Sequence, residues 1–107
     1  MPSIRRDLSI VVAEDVDAEL LGDRVRTVLA GRANDLESVE LLALTTCNQL
    51  PAAARHRLRI RAGQANALIR LVLRPLGRTM TDSEANQIRD DVYLALHEGP
   101  VKDLIVK

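Results

Sequence analysis

Apolar and polar residues alternate with period two over Arg6 to Ala13, with Leu8, Ile10 and Val12 on one side and Asp7, Ser9 and Val11 on the other. That spacing predicts a half-buried β-strand. The period then lengthens. Ala18, Leu21, Val25 and Val28 form the stripe of an amphipathic helix, which Asp15 or Asp17 can cap and Gly31 is expected to end. A second strand is expected over Leu36 to Thr45, with Val39, Leu41 and Ala43 toward the core and Leu42 and Leu44 on the other face. A long connection runs from Cys47 to Asn66, and Pro51 to Leu58 within it reads as a short helix with proline in its first turn. Ala62-Gly63-Gln64 turns into a third strand, Ala67 to Arg74. There Ala67, Ile69, Leu71 and Leu73 face inward, while Leu68, Arg70, Val72 and Arg74 face outward.

Pro75 and Gly77 stop that strand, and a capping box, Thr81-Asp82-Ser83-Glu84, opens the last helix, Asp82 to His97. Its buried stripe is Ala85, Ile88, Val92 and Leu96, with Tyr93 half-buried beside it. Gly99-Pro100 ends the helix, and Val101 to Val106 is expected to form a short edge strand. The order strand, helix, strand, strand, helix, strand predicts a ferredoxin-like α+β fold. Its expected form is a four-stranded antiparallel sheet with both helices on one face and an insertion between the second and third strands. The other face is then open, with Ser9, Val11, Leu42, Arg70, Val72 and Arg74 on or near it.

Composition narrows the class. A chain of 107 residues fits one domain, residues 1–107, and 47% hydrophobic with 28% charged residues is a globular balance. Tyr93 is the only aromatic residue, so the core must be aliphatic. One cysteine excludes an internal disulfide, and no apolar run approaches the ~20 residues of a membrane span. No apolar signal segment opens the sequence, and a cytoplasmic location is expected.

Charge placement says more than the net charge of zero. No acidic residue occurs between Leu41 and Thr81, yet Arg55, Arg57, Arg59, Arg61, Arg70, Arg74 and Arg78 all do. Arginine suits bidentate phosphate contact, so these residues are candidates for a positive surface that tracks a nucleic-acid backbone. The competing expectation is a solvated set paired with acids elsewhere in the fold. Arg6, Asp7, Arg78 and Asp82 are expected to make local salt bridges or caps. Cys47, His56 and His97 lack paired ligand spacing, and Gly22, Gly31, Gly63, Gly77 and Gly99 form no phosphate loop. No metal, cofactor or catalytic residue is expected.

Arg6-Asp7-Leu8-Ser9 leading Ile10-Val11-Val12, then Leu36-Glu37-Ser38-Val39-Glu40-Leu41, then Leu71-Val72-Leu73 leading to Arg78-Thr79-Met80-Thr81-Asp82, carry a resemblance. In order and spacing they resemble the ferredoxin-fold anticodon-binding domain at the C-terminus of phenylalanyl-tRNA synthetase β subunits and of organellar phenylalanyl-tRNA synthetases. The resemblance covers Ile4 to Val106 and implies a non-catalytic module that holds a tRNA anticodon stem-loop, or another RNA stem-loop, beside a synthetase-like catalytic protein. The chain departs from the pattern in three ways. It carries no synthetase active-site motif, its connection from Pro51 to Gln64 is long, and its open face lacks aromatic residues for base stacking. A second expectation stays open: a docking, dimerisation or regulatory module using Val11, Leu42, Leu68 and Val72 on the open sheet face, as in a homodimer.

Overall fold

The structure, a computed structural model, describes residues 3–98. Strand β1 (Ile4–Ala13) is followed by helix α1 (Ala18–Leu29), a 3₁₀ stretch over Ala30–Asp35, and strand β2 (Leu36–Thr46). A 3₁₀ turn at Cys47–Gln49 and a short helix α2 (Ala52–Leu58) lead to strand β3 (Gln64–Leu73) and helix α3 (Asp82–Leu96). All strand pairs are antiparallel, in the order β1-β3-β2.

This corrects the expected four-stranded sheet. Among the described residues the sheet has three strands, and the segment expected to form the fourth, Val101 to Val106, lies outside them. Within the described residues, the outer edge of β1 meets the end of α3. Val11 donates its N–H to His97 Nδ1 at 2.9 Å, and the Glu98 N–H donates back to the Val11 carbonyl at 2.8 Å. The order β1-β3-β2 is itself compatible with a ferredoxin-like arrangement.

Helices α1 and α3 touch each other, with α1 against β2 and α3 against β1. They bury the alternation read from the sequence: Leu8, Ile10 and Val12 of β1 and Ala67, Ile69, Leu71 and Leu73 of β3 join Leu21, Val25, Ala85, Ile88, Val92 and Leu96 in one core. Asp17 is the cap of α1, its carboxylate accepting from the Leu20 N–H at 2.8 Å. The expected box at α3 is present. The Glu84 N–H donates to Thr81 Oγ1 at 3.1 Å, and the Thr81 N–H donates to Glu84 Oε1 at 3.4 Å.

Gly31 does not end α1. The helix stops at Leu29, and Ala30 takes the turn with φ 51° and ψ −116°. A side chain disfavours that backbone, whereas glycine adopts it freely. Ala30→Gly is therefore expected to stabilise the domain by about 1 kcal/mol. A rise in the urea midpoint at unchanged slope checks this.

The register of β2 is also corrected. A shift between Leu41 and Ala43 leaves Leu42 outside the ladder, so Leu44 returns to the core side and Ala43 pairs with Leu68. One inserted residue reverses which face each later side chain occupies. Strand β3 begins at Gln64, three positions before the expected Ala67, and Arg74 lies just beyond its end. The open face is less apolar than expected. Val11 is 1% and Val72 5% exposed, while Leu42 is 42% exposed.

Candidate nucleic-acid interface

The candidate arginines divide by element. Those of β3 and the turn after it meet carboxylates from distant parts of the chain. Arg70 forks onto Asp7 of β1, its direct neighbour across the sheet, at 2.8 and 3.0 Å. Arg74 Nε reaches Glu37 at 2.7 Å. Arg78 bridges Asp35 and Glu84, each at 2.8 Å, tying the start of β2 to the first turn of α3. Arg6, which faces the helices, donates to Asn86 at 2.8 Å and to Asp82 at 3.0 Å. Arg6, Asp7, Arg78 and Asp82 thus form salt bridges as expected, but their partners are mostly distant in the chain rather than local, so these pairs hold separate elements together.

The acids come from outside the acid-free window, so only the tertiary fold brings them in. Asp7 titrates below the ordinary carboxylate range because Arg70 hydrogen-bonds its charged form. Glu84 is lowered by the hydrogen bond from Arg78 and then by the Thr81 backbone N–H. Both shifts act in one direction. A carboxylate with a depressed folded-state pKa adds stability that is fully present above its unfolded value and is lost as pH falls through the folded value. All four groups are solvent-exposed, so the effect is screened and modest. The urea midpoint is expected to fall as pH drops below about 4, and Asp7→Asn with Glu84→Gln to flatten that fall. An identical acid limb in the double variant would count against these pairs as the cause.

The arginines of the connection are placed differently. Arg55 is structural: its guanidinium donates to the carbonyls of Leu50 at 2.9 Å and Cys47 at 3.4 Å, fastening α2 to the 3₁₀ turn before it. The side chains of Arg57, Arg59 and Arg61 are exposed and make no hydrogen bond or ion pair among the described residues. Arg59 and Arg61 border a shallow depression of about 590 Å³ with Arg55, His56, Cys47 and Ile60. Arg57 lines a different cleft, beside Ser9 and Asn66. The expected positive surface is therefore not continuous from Arg55 to Arg78. It is confined to the β2–β3 connection, because the strand arginines are neutralised where they sit.

Local sequence explains this segment. Pro51 supplies φ −58° at the start of α2, and Arg59 ends the helix in the left-handed region at φ 53° and ψ 39°. Gly63, at φ 86°, turns the chain into β3, and its carbonyl accepts the Glu14 N–H at 2.9 Å. The cations are thus carried on a short helix and turn projecting from the sheet.

Tyr93 offers no open stacking platform. It is 4% exposed, and its ring lies against His97 with centroids 4.6 Å apart and planes at 17°. Cys47 Sγ lies 4.0 Å from the Ile60 carbonyl. No group of three or more His, Cys, Asp or Glu residues is placed to hold a metal among the described residues, and none of their helices is long and apolar enough to cross a membrane. Neither Asn66 nor the bond between His97 and Val11 is marked by any pattern in the sequence. Asn66 sits on the open side of a strand and His97 at a helix end, and no local signal shows that the fold brings them together. No protein-family model and no curated protein matches the chain.

Proposed function

We propose that this domain is a non-catalytic RNA-binding module that holds a tRNA-type stem-loop by its phosphate backbone, using the connection between β2 and β3. One observation carries the reading. Arg59 and Arg61 stand exposed beside His56 with no carboxylate partner among the described residues, while Arg70 and Arg74 are each paired with one and Arg78 with two. Exposed guanidinium groups on a projecting segment can meet successive phosphates without first breaking a salt bridge. The resemblance to the anticodon-binding domain supplies the class of RNA, and a cytoplasmic synthetase-like protein is the partner it suggests. Base stacking contributes little, since the one tyrosine is buried.

The docking alternative draws less support. Of the apolar residues it would use, Val11 and Val72 are already buried, and Leu42 alone is more than two-fifths exposed. The test is a titration of the chain with a labelled anticodon stem-loop at about 50 and about 200 mM salt. Binding is expected to weaken steeply, with a log–log slope of about −0.7 to −0.9 per neutralised phosphate. Absence of binding at the lower salt would overturn the reading.

A further inference from the structure

A cleft of about 490 Å³ opens where the outer part of the sheet meets α2 and the end of α3, within the size range of small-ligand sites (about 300–1,000 Å³). Ser9 and Asn66 lie on its sheet side. Ser9 pairs with Leu68 and Asn66 with Val11, so the two polar side chains are diagonal neighbours on one sheet face. The half-buried His97 ring, backed by the buried Tyr93 ring stacked on it, forms a second side. The Val11 N–H, donated to His97 Nδ1 at 2.9 Å, fixes that imidazole and makes the nitrogen an acceptor, with no proton of its own. Arg57 stands on the α2 side, exposed and without an ion pair among the described residues.

These features specify a ligand. Hydroxyl and amide groups on one side, the flat face of an imidazole on another and one guanidinium fork suit a ring-bearing molecule with a single planar anionic group. Charge decides between the common anions. A phosphate monoester carries about −1.5 to −2 near neutrality, more than one arginine balances, whereas a carboxylate carries one charge and matches the fork in shape. We infer that this cleft binds a small cyclic carboxylate, with Arg57 taking the carboxylate, Ser9 and Asn66 taking polar substituents, and the ring lying against the outer face of His97. The site is independent of RNA binding, and either can fail without the other.

The experiment is a titration of the ¹⁵N-labelled chain with benzoate, followed by amide shifts. Benzamide serves as the uncharged analogue and inorganic phosphate as the alternative anion. Saturable shifts are expected at Ser9, Val11, Asn66 and His97, with a dissociation constant of about 1 mM or tighter. Benzamide and phosphate are each expected to bind at least about tenfold more weakly. Arg57→Gln is expected to weaken benzoate by about tenfold with the remaining spectrum unchanged, since its side chain is exposed and unbonded among the described residues. No saturable shift up to about 20 mM benzoate would overturn the site. So would benzamide or phosphate binding as tightly as benzoate, or an Arg57→Gln variant binding like the parent.

Discussion

Replacing Arg59 with Gly and Arg61 with Ala is expected to weaken stem-loop binding by about 10- to 100-fold at about 50 mM salt, and to lower the salt slope by about 1.4 to 1.8. The slope follows from losing two phosphate contacts, each displacing a fraction of a counterion. The fold-change is the same quantity evaluated at low salt, where counterion release contributes most. The substitutions are chosen so that folding survives. Arg59 sits in left-handed backbone at φ 53° and ψ 39°, where glycine relieves strain, and neither side chain bonds to anything described. The counterpart is Asp7→Asn with Arg70→Gln, which removes a forked pair at 2.8 and 3.0 Å without changing net charge. It is expected to alter affinity less than about twofold, because that arginine is already neutralised. Fluorescence anisotropy at two salt concentrations checks both. If the sheet pair mattered and the connection did not, the RNA would lie on the open face and the proposed interface would be wrong.

Leu71→Ala is expected to cost about 3–4 kcal/mol of stability, within the usual range for a buried leucine (about 2–5). Leu71 lies on the central strand, between Arg6 of β1 and Val39 of β2, and its side chain is fully buried. Strands on both sides and helices above limit how far the surroundings can collapse into the cavity. A domain of this size has about 5–15 kcal/mol in total, so the urea midpoint should fall by a large fraction. Leu42→Ala makes the contrast. Leu42 is 42% exposed and outside the ladder, and its loss is expected to cost under about 0.5 kcal/mol. Equal costs at the two positions would mean that the core is not centred on β3.

Much of this architecture is legible in short stretches of sequence, because the signals involved are local. The alternation at Leu8, Ile10 and Val12 and at Ala67, Ile69, Leu71 and Leu73 is set by the two-residue repeat of the strand, and all of these side chains are buried. The Thr81–Glu84 box satisfies backbone groups within one turn, so it needs nothing from elsewhere in the fold. The short helix after Pro51 forms as read. The end of α1 and the register of β2 were not legible. Ala30 adopts a backbone that its residue type disfavours, and the slip at Leu42 reflects packing of Leu41 and Leu44 against the core rather than any turn residue. Both are tertiary overrides of local preference.

Local sequence was enough to set the antiparallel α+β character, the Thr81–Glu84 cap of α3, the inward face of β1 and β3, and the presence of an arginine-rich, acid-free middle. It could not determine which of those arginines remain exposed. Arg70 and Asp7 are 63 residues apart, Arg78 and Asp35 are 43 apart, and Arg74 and Glu37 are 37 apart. Each partner arrives only when the strands register. Tertiary structure therefore neutralised the sheet arginines and left Arg57, Arg59 and Arg61 on the projecting connection, where Arg55 is held by the nearby carbonyls of Leu50 and Cys47. It also formed the Arg57 cleft from β1, β3, α2 and the end of α3, through the bond between Val11 and His97, 86 residues apart. Periodicity and capping act over one turn or one pleat and can be read from neighbours in the chain. Charge pairing and cavities depend on which distant segments meet, and only the folded chain brings those segments together.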